Sequence, residues 1–295
     1  MPISLLKNAI DKYLTKVSFE RPDAFFELSP RGTLKNTILN GNGLDIYILD
    51  SNRFRVKLQA QRFYEAITTD YHYSSQKIQN HRKIVETLLE AKSPGAWILV
   101  TAYYQSFYAA NEILRLTGAY NSTFDKEAIS FLNANNSTTV KLSESTHTYK
   151  GSVSSTTQDG NIEVTFQSHG DKPHLQVWQG LFSLLKQSNY SPTHKNIRRI
   201  ERFKKIIDSS CKDFPIPSAL RNKWNYSKID AYDRSQDDKF SQMMHMLASP
   251  DFSNVKEWGA RKLQHIDEST HVESLCYVNN ILENTITHFH PKLKL

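Results

Sequence analysis

Cysteine is nearly absent: Cys211 and Cys276 are the only two in 295 residues. Two thiols cannot build a disulfide framework, and neither sits in a zinc-ligand spacing. The chain also lacks a P-loop, a G-x-S-x-G elbow, an H-E-x-x-H pair and a dinucleotide fingerprint. No acidic pair with a lysine follows a strand, as a restriction-type nuclease would need. His265, Asp267, Glu268 and His271 are close in sequence, but acids and histidines on a polar helix face are common, so no metal and no cofactor is expected. Residues 1–14 contain Lys7, Asp11 and Lys12 and have no continuous apolar core. They do not read as a signal peptide, and a reduced, cytoplasmic protein is expected. No internal repeat is apparent.

What the chain has instead is aromatic mass: 15 Phe, 14 Tyr and 4 Trp, enough burial area to argue against disorder. The net charge of +7 permits a polyanionic partner without establishing one. The stretch from Pro94 to Gly118 carries no charge between Ser93 and Asn111. Pro94 suits a first helical turn, Gly118 suits a C-terminal stop, and Val100, Tyr103, Phe107, Ala110 and Leu114 recur at helical spacing. Its length fits a membrane span, but its tyrosines, Thr101, Gln105, Ser106 and Asn111 argue for a buried core helix and no membrane.

Elements on either side follow from periodicity. Residues 2–16 place Ile3, Leu6, Ile10 and Leu14 on one helical face. Residues 45–49 and 53–58 read as a hairpin across Asp50-Ser51-Asn52, with Phe54, Val56 and Leu58 inward and Arg53, Arg55 and Lys57 outward. From Ser74 the pattern predicts a helix of roughly 18 residues that ends near Ser93 and forms a helical hairpin with the central helix. Residues 137–169 read as a β-hairpin insertion, with one strand at Val140 and Leu142 and another at Ile162, Val164 and Phe166. It would cover a surface or pair with another chain. Further helices are predicted from His174, from Lys195, from Ser218, over 236–248 and over 253–289. The fold class is therefore mainly α, and the division expected is 1–73 as an N-terminal α+β extension and 74–295 as a helical domain.

Two stretches carry candidate chemistry. Between Lys195 and Lys212 seven basic residues face two acidic ones, a local +5. Lys195, Arg198, Arg199, Arg202 and Lys205 would serve either as a nucleic-acid surface or as a solvated helix face. Arg221-Asn222-Lys223-Trp224-Asn225-Tyr226 sits near a helix start. On an α-helix Arg221 and Asn225 share one stripe and Asn222 and Tyr226 the next. Arginine can hold a phosphate bidentately and polarise a phosphodiester, or hydrogen-bond a neighbouring helix. His174 and His194 read as surface or capping histidines.

The stretch Ala102-Tyr-Tyr-Gln-Ser-Phe-Tyr-Ala-Ala-Asn-Glu-Ile-Leu, followed later by Leu220-Arg-Asn-Lys-Trp-Asn-Tyr, resembles the HEPN family. That resemblance covers roughly residues 75–289 with the β-insertion interrupting it. It implies an HEPN-like helical bundle, a homodimer, and RNA as the ligand, in a bacterial antiphage defence or toxin–antitoxin setting with a possible protein partner from the same system. It also implies a metal-independent ribonuclease, or a non-catalytic scaffold that binds nucleic acid or protein. Arg221 matches the family's arginine and Asn222 the polar residue after it. Tyr226 stands where catalytic members carry His, and a phenol is a poor proton shuttle near neutral pH.

Overall fold

A computed structural model describes residues 1–22, 26–41, 44–145, 147–156, 160–170, 172–187, 194–227, 246–247, 252–263 and 266–293. The chain is mainly α with one antiparallel sheet. It divides into two compact units: a helical unit of Met1–Ala9, Ser75–Ile113 and His174–His288, and a sheet unit of Ile10–Ser74, Leu114–Pro173 and Phe289–Leu295.

The sheet unit is built on alternation. β1 (Asp45–Asp50) and β2 (Arg53–Gln59) form the predicted hairpin, and Phe54, Val56 and Leu58 are buried as their spacing demands. β3 (Ala119–Phe124), β4 (His147–Thr156) and β5 (Asn161–His169) complete a five-stranded sheet of order β1-β2-β5-β4-β3. The insertion therefore pairs with the N-terminal hairpin of its own chain, with Phe54 opposite Phe166 and Val56 opposite Val164. This replaces the division at residue 73, because a β2 edge left open would expose a full row of backbone donors and acceptors.

Val140 and Leu142 do not form a strand. The Asn133 side chain accepts from the Leu142 N–H at 2.8 Å and donates to its carbonyl at 3.1 Å, while Asn136 donates to the Val140 carbonyl at 2.7 Å. Side-chain amides thus take the bonds a ladder would have used. The strand that periodicity missed, β3, has only Tyr120 and Phe124 buried along its six residues. α2 (Leu34–Asn40) and α5 (Lys126–Ala134) belong to the same unit, and Asp125 caps α5 by accepting from the Ala128 N–H at 2.9 Å.

α1 (Pro2–Lys16) and α4 (Gly95–Arg115) match their predicted bounds closely. α3 (Ala60–Glu90) starts well before Ser74, since Phe63, Tyr64, Ile67, Thr68, Thr69 and Tyr71 are helical despite their strand-like side chains. Burial of this face outweighs a propensity cost of a few tenths of a kcal/mol per residue. Gly118 follows α4 at φ +88°, and its N–H closes the helix on the Arg115 carbonyl at 3.0 Å. A Cβ there would meet the Tyr13 ring. Gly118→Ala is expected to cost about 2 kcal/mol or more, from left-handed strain plus the clash, read as a lower urea midpoint at unchanged slope.

The helical unit comprises the C-terminal part of α3, most of α4, α6 (Pro173–Gln187), α7 (His194–Ile207), α8 (Pro217–Asn222), α9 (Phe252–Ala260) and α10 (Glu268–His288). A last short helix, α11 (His290–Leu293), belongs to the sheet unit. The predicted 253–289 helix is two helices because Asp267 caps α10, accepting from both the Thr270 N–H and its hydroxyl at 2.9 Å. Most of the predicted 236–248 helix lies outside the described residues. Of its predicted inward residues only Leu247 is described, and it is 3% exposed. Asn279 of α10 donates to the Ala102 carbonyl at 2.9 Å and to Gln105 at 3.1 Å, satisfying polar groups buried in the centre of α4. Among the described residues no helix is long and apolar enough to cross a membrane.

Candidate functional site

Helical spacing gives α4 two aromatic stripes one turn apart, Tyr103–Phe107 and Tyr104–Tyr108. Tyr103 is fully buried, whereas Tyr104, Phe107 and Tyr108 are half-buried. Arg221, near the end of α8, lies over Tyr103 and Tyr104. Its guanidinium carbon is 5.4 Å from the Tyr103 ring centroid and 5.6 Å from that of Tyr104. Trp224, 1% exposed, anchors the segment from the inner side.

His174, in the first turn of α6, enters the same cluster. Its Nδ1 is 2.6 Å from the Tyr103 hydroxyl, and its ring lies 4.3 Å from that of Phe107. Burial pushes the Tyr103 phenol up to about 12, with Trp178 and Arg221 beside it opposing that rise. The phenol stays protonated, and its hydroxyl and Nδ1 share this hydrogen bond. Burial, and then the Arg221 charge, lowers the His174 pKa below its ordinary 6.5 and keeps the ring neutral.

The sign of the resulting pH dependence follows. A lowered folded pKa contributes stability that is complete above 6.5 and is lost as pH falls through the folded value. Protonating the ring sets a second cation beside Arg221. The thermal midpoint is therefore expected to fall as pH drops below 6.5, and His174→Gln to flatten that decline.

No family model, curated protein or solved structure matches this chain. The site stands on its geometry.

Of the residues singled out by sequence, Arg221 alone is held against the aromatic cluster. Asn222 is exposed, and Tyr226 is 75% exposed. The expected i, i+4 stripes fail because residues Lys223–Ser227 form a π-helical turn, whose i→i+5 bonding breaks that register. α8 is also only six residues long, so its start offers no helix-terminus anion site. Asn225 is half-buried, and Lys223 pairs with Glu268 at 3.2 Å.

The α7 basic run divides in two. Arg199 donates to the Lys256 carbonyl at 2.9 Å. Arg202 donates to the carbonyls of Trp258 and Arg261 at 3.3 and 2.6 Å, and its guanidinium lies 5.1 Å from the Trp258 ring centre. These two arginines latch α9 and its C-terminal end to α7, so they are structural groups and not phosphate ligands. Arg198 and Lys205 are exposed and line an open groove with Arg261, Lys262, Phe214 and Ile266. The side chains of His194 and Lys195 lie outside the described residues. Among the described residues no group of His, Cys, Asp and Glu is arranged to hold a metal ion; His265 lies outside them.

His174, read from the sequence as a surface or capping histidine, is a member of this cluster. Nothing in spacing could recover it, since its partners stand on two other helices.

Proposed function

We propose that this chain is an HEPN-like protein that cleaves or senses RNA in a bacterial antiphage defence or toxin system, with Arg221 as the phosphate-binding group. The observation that carries this reading is the meeting of its two motif stretches: Arg221 of the second lies over Tyr103 and Tyr104 of the first. The Arg221 Nε is buried with no hydrogen-bond partner among the described residues. Arg221 and the neutral His174 both meet the Tyr103 side chain, so a cation and an imidazole stand in one cluster.

If the RNA is cut, the 2′-oxygen attacks phosphorus and the bond to the 5′-oxygen breaks. The products are a cyclic phosphate and a 5′-hydroxyl. The proton lost by the 2′-oxygen balances the one gained by the leaving oxygen. Arg221 and His174 would act on the charge that develops on the phosphate oxygens, a preorganised electrostatic role. Asn222, on the exposed side, would help to position the strand. The chain acts as a homodimer in this reading, as the resemblance implies.

The test is RNA cleavage by purified protein in EDTA, on several RNAs including tRNA, beside Arg221→Ala. Cleavage lost in the variant supports the nuclease. Absence of cleavage, with RNA binding that depends on Arg221 and weakens with salt, supports the sensing form. Absence of both cleavage and binding in the wild type would overturn the proposal.

A further inference from the structure

The aromatic surface of the helical unit extends past Arg221. Tyr104 and Tyr108 lie 6.2 Å apart in a stacked arrangement, and Phe107 packs edge-on to Tyr108 at 5.7 Å. His81 of α3 continues the row, 5.1 Å from the Tyr108 ring and 6.5 Å from that of Tyr104. Its Nδ1 donates to the Lys77 carbonyl at 2.9 Å, which fixes the ring plane. All four rings are half-buried, so each presents part of its surface to solvent. Two cations flank the row. Arg221 lies over Tyr104 at 5.6 Å, and the exposed Lys77 ammonium lies over Tyr108 at 5.2 Å.

Ile78, Val85, Leu99 and Ala102 of the same two helices are buried, whereas these four rings reach solvent. Rings left at a surface between two cations match the needs of an unpaired nucleotide strand. Every base has a π-face to stack, and each phosphate seeks a positive charge. A duplex hides its base faces and would meet only the cations. The basic groove beside α7 is a poorer platform for bases, because its aromatic residue, Phe214, is 2% exposed.

We propose that His81, Tyr104, Phe107 and Tyr108 form a base-stacking platform for single-stranded RNA, with Arg221 and Lys77 holding phosphates at its two ends. This rests on the RNA reading above and adds the substrate class: unpaired RNA, bound with little preference among bases.

The experiment measures fluorescence anisotropy of a labelled 2′-O-methyl oligouridylate of about 12 nucleotides, a length within single-strand site sizes, beside a duplex of equal length. Binding to the wild type is compared with binding to Tyr108→Ala, His81→Ala, Tyr108→Phe and Lys77→Gln. Tyr108 and His81 are chosen because neither touches Arg221. Each alanine variant is expected to lose about tenfold in single-strand affinity, and Tyr108→Phe to retain it. Lys77→Gln should lower the salt slope by about one unit. Duplex affinity should be weaker and unchanged by the ring substitutions.

If the alanine variants bind the single strand as tightly as wild type while Arg221→Ala does not, the platform is wrong and the phosphate site stands. If wild type prefers the duplex, the platform is likewise overturned. If the variants change elution on gel filtration but not affinity, the rings form a contact between copies of this chain instead. If wild type binds neither RNA, the parent reading fails with it.

Discussion

Arg221→Ala is expected to reduce metal-free RNA cleavage by about 10²–10³-fold, the usual cost of removing one donor from a preorganised anionic transition-state site. The loss should fall on kcat more than on KM, because the charge that Arg221 meets grows as the phosphorane forms. Arg221→Lys separates charge from shape. Lysine keeps the cation but cannot lie flat over Tyr103 and Tyr104, which flank the guanidinium at 5.4 and 5.6 Å. Recovery in the lysine variant to within a few-fold of wild type would show that only the charge matters. Persistent loss with intact circular dichroism would show that the stacked fork is required. In the sensing form the same pair is read by RNA affinity across a salt series. An Arg221→Ala variant equal to wild type in both cleavage and affinity would sink the assignment.

Phe54→Ala carries the largest expected effect on stability. Phe54 is fully buried and stacks on Phe166 with centroids 4.9 Å apart and planes 10° from parallel. It also meets Phe124 and Tyr149 edge-on at 5.5 and 5.3 Å. Truncation removes three ring contacts and opens a cavity that the pinned strands β2, β4 and β5 cannot close. A loss of about 3–5 kcal/mol is expected, seen as a lower urea midpoint. Leu49→Ala, at a side chain 42% exposed, serves as the control and should change stability by less than about 0.5 kcal/mol. A Phe54→Ala variant indistinguishable from Leu49→Ala would refute this account of the sheet unit's core.

Much of the local structure was legible. The 45–58 hairpin, α1, α4 and the inward residues Phe54, Val56 and Leu58 come straight from period and turn chemistry, because local sterics dictate both. Elements failed where a tertiary interaction replaced the local one. Asn133 took the Leu142 backbone bonds, burial made the β-branched start of α3 helical, and Asp267 cut one long amphipathic pattern into α9 and α10. The site follows the same division. Arg221, singled out by its motif, lies against the aromatic cluster, yet Asn222 and Tyr226, at i+1 and i+5, are exposed.

By itself the sequence determined the composition of the chain, the helical class of its larger part and the identity of its central helix, since these depend on residues close together along the chain. Only the tertiary structure decided that the N-terminal hairpin and the insertion share one sheet, that Arg199 and Arg202 are spent on backbone carbonyls, and that His174 stands beside Arg221. The physical reason is common to all three. Hydrogen bonding and charge act through space over a few ångströms, and no periodicity along one segment records which distant segment will be there to meet it.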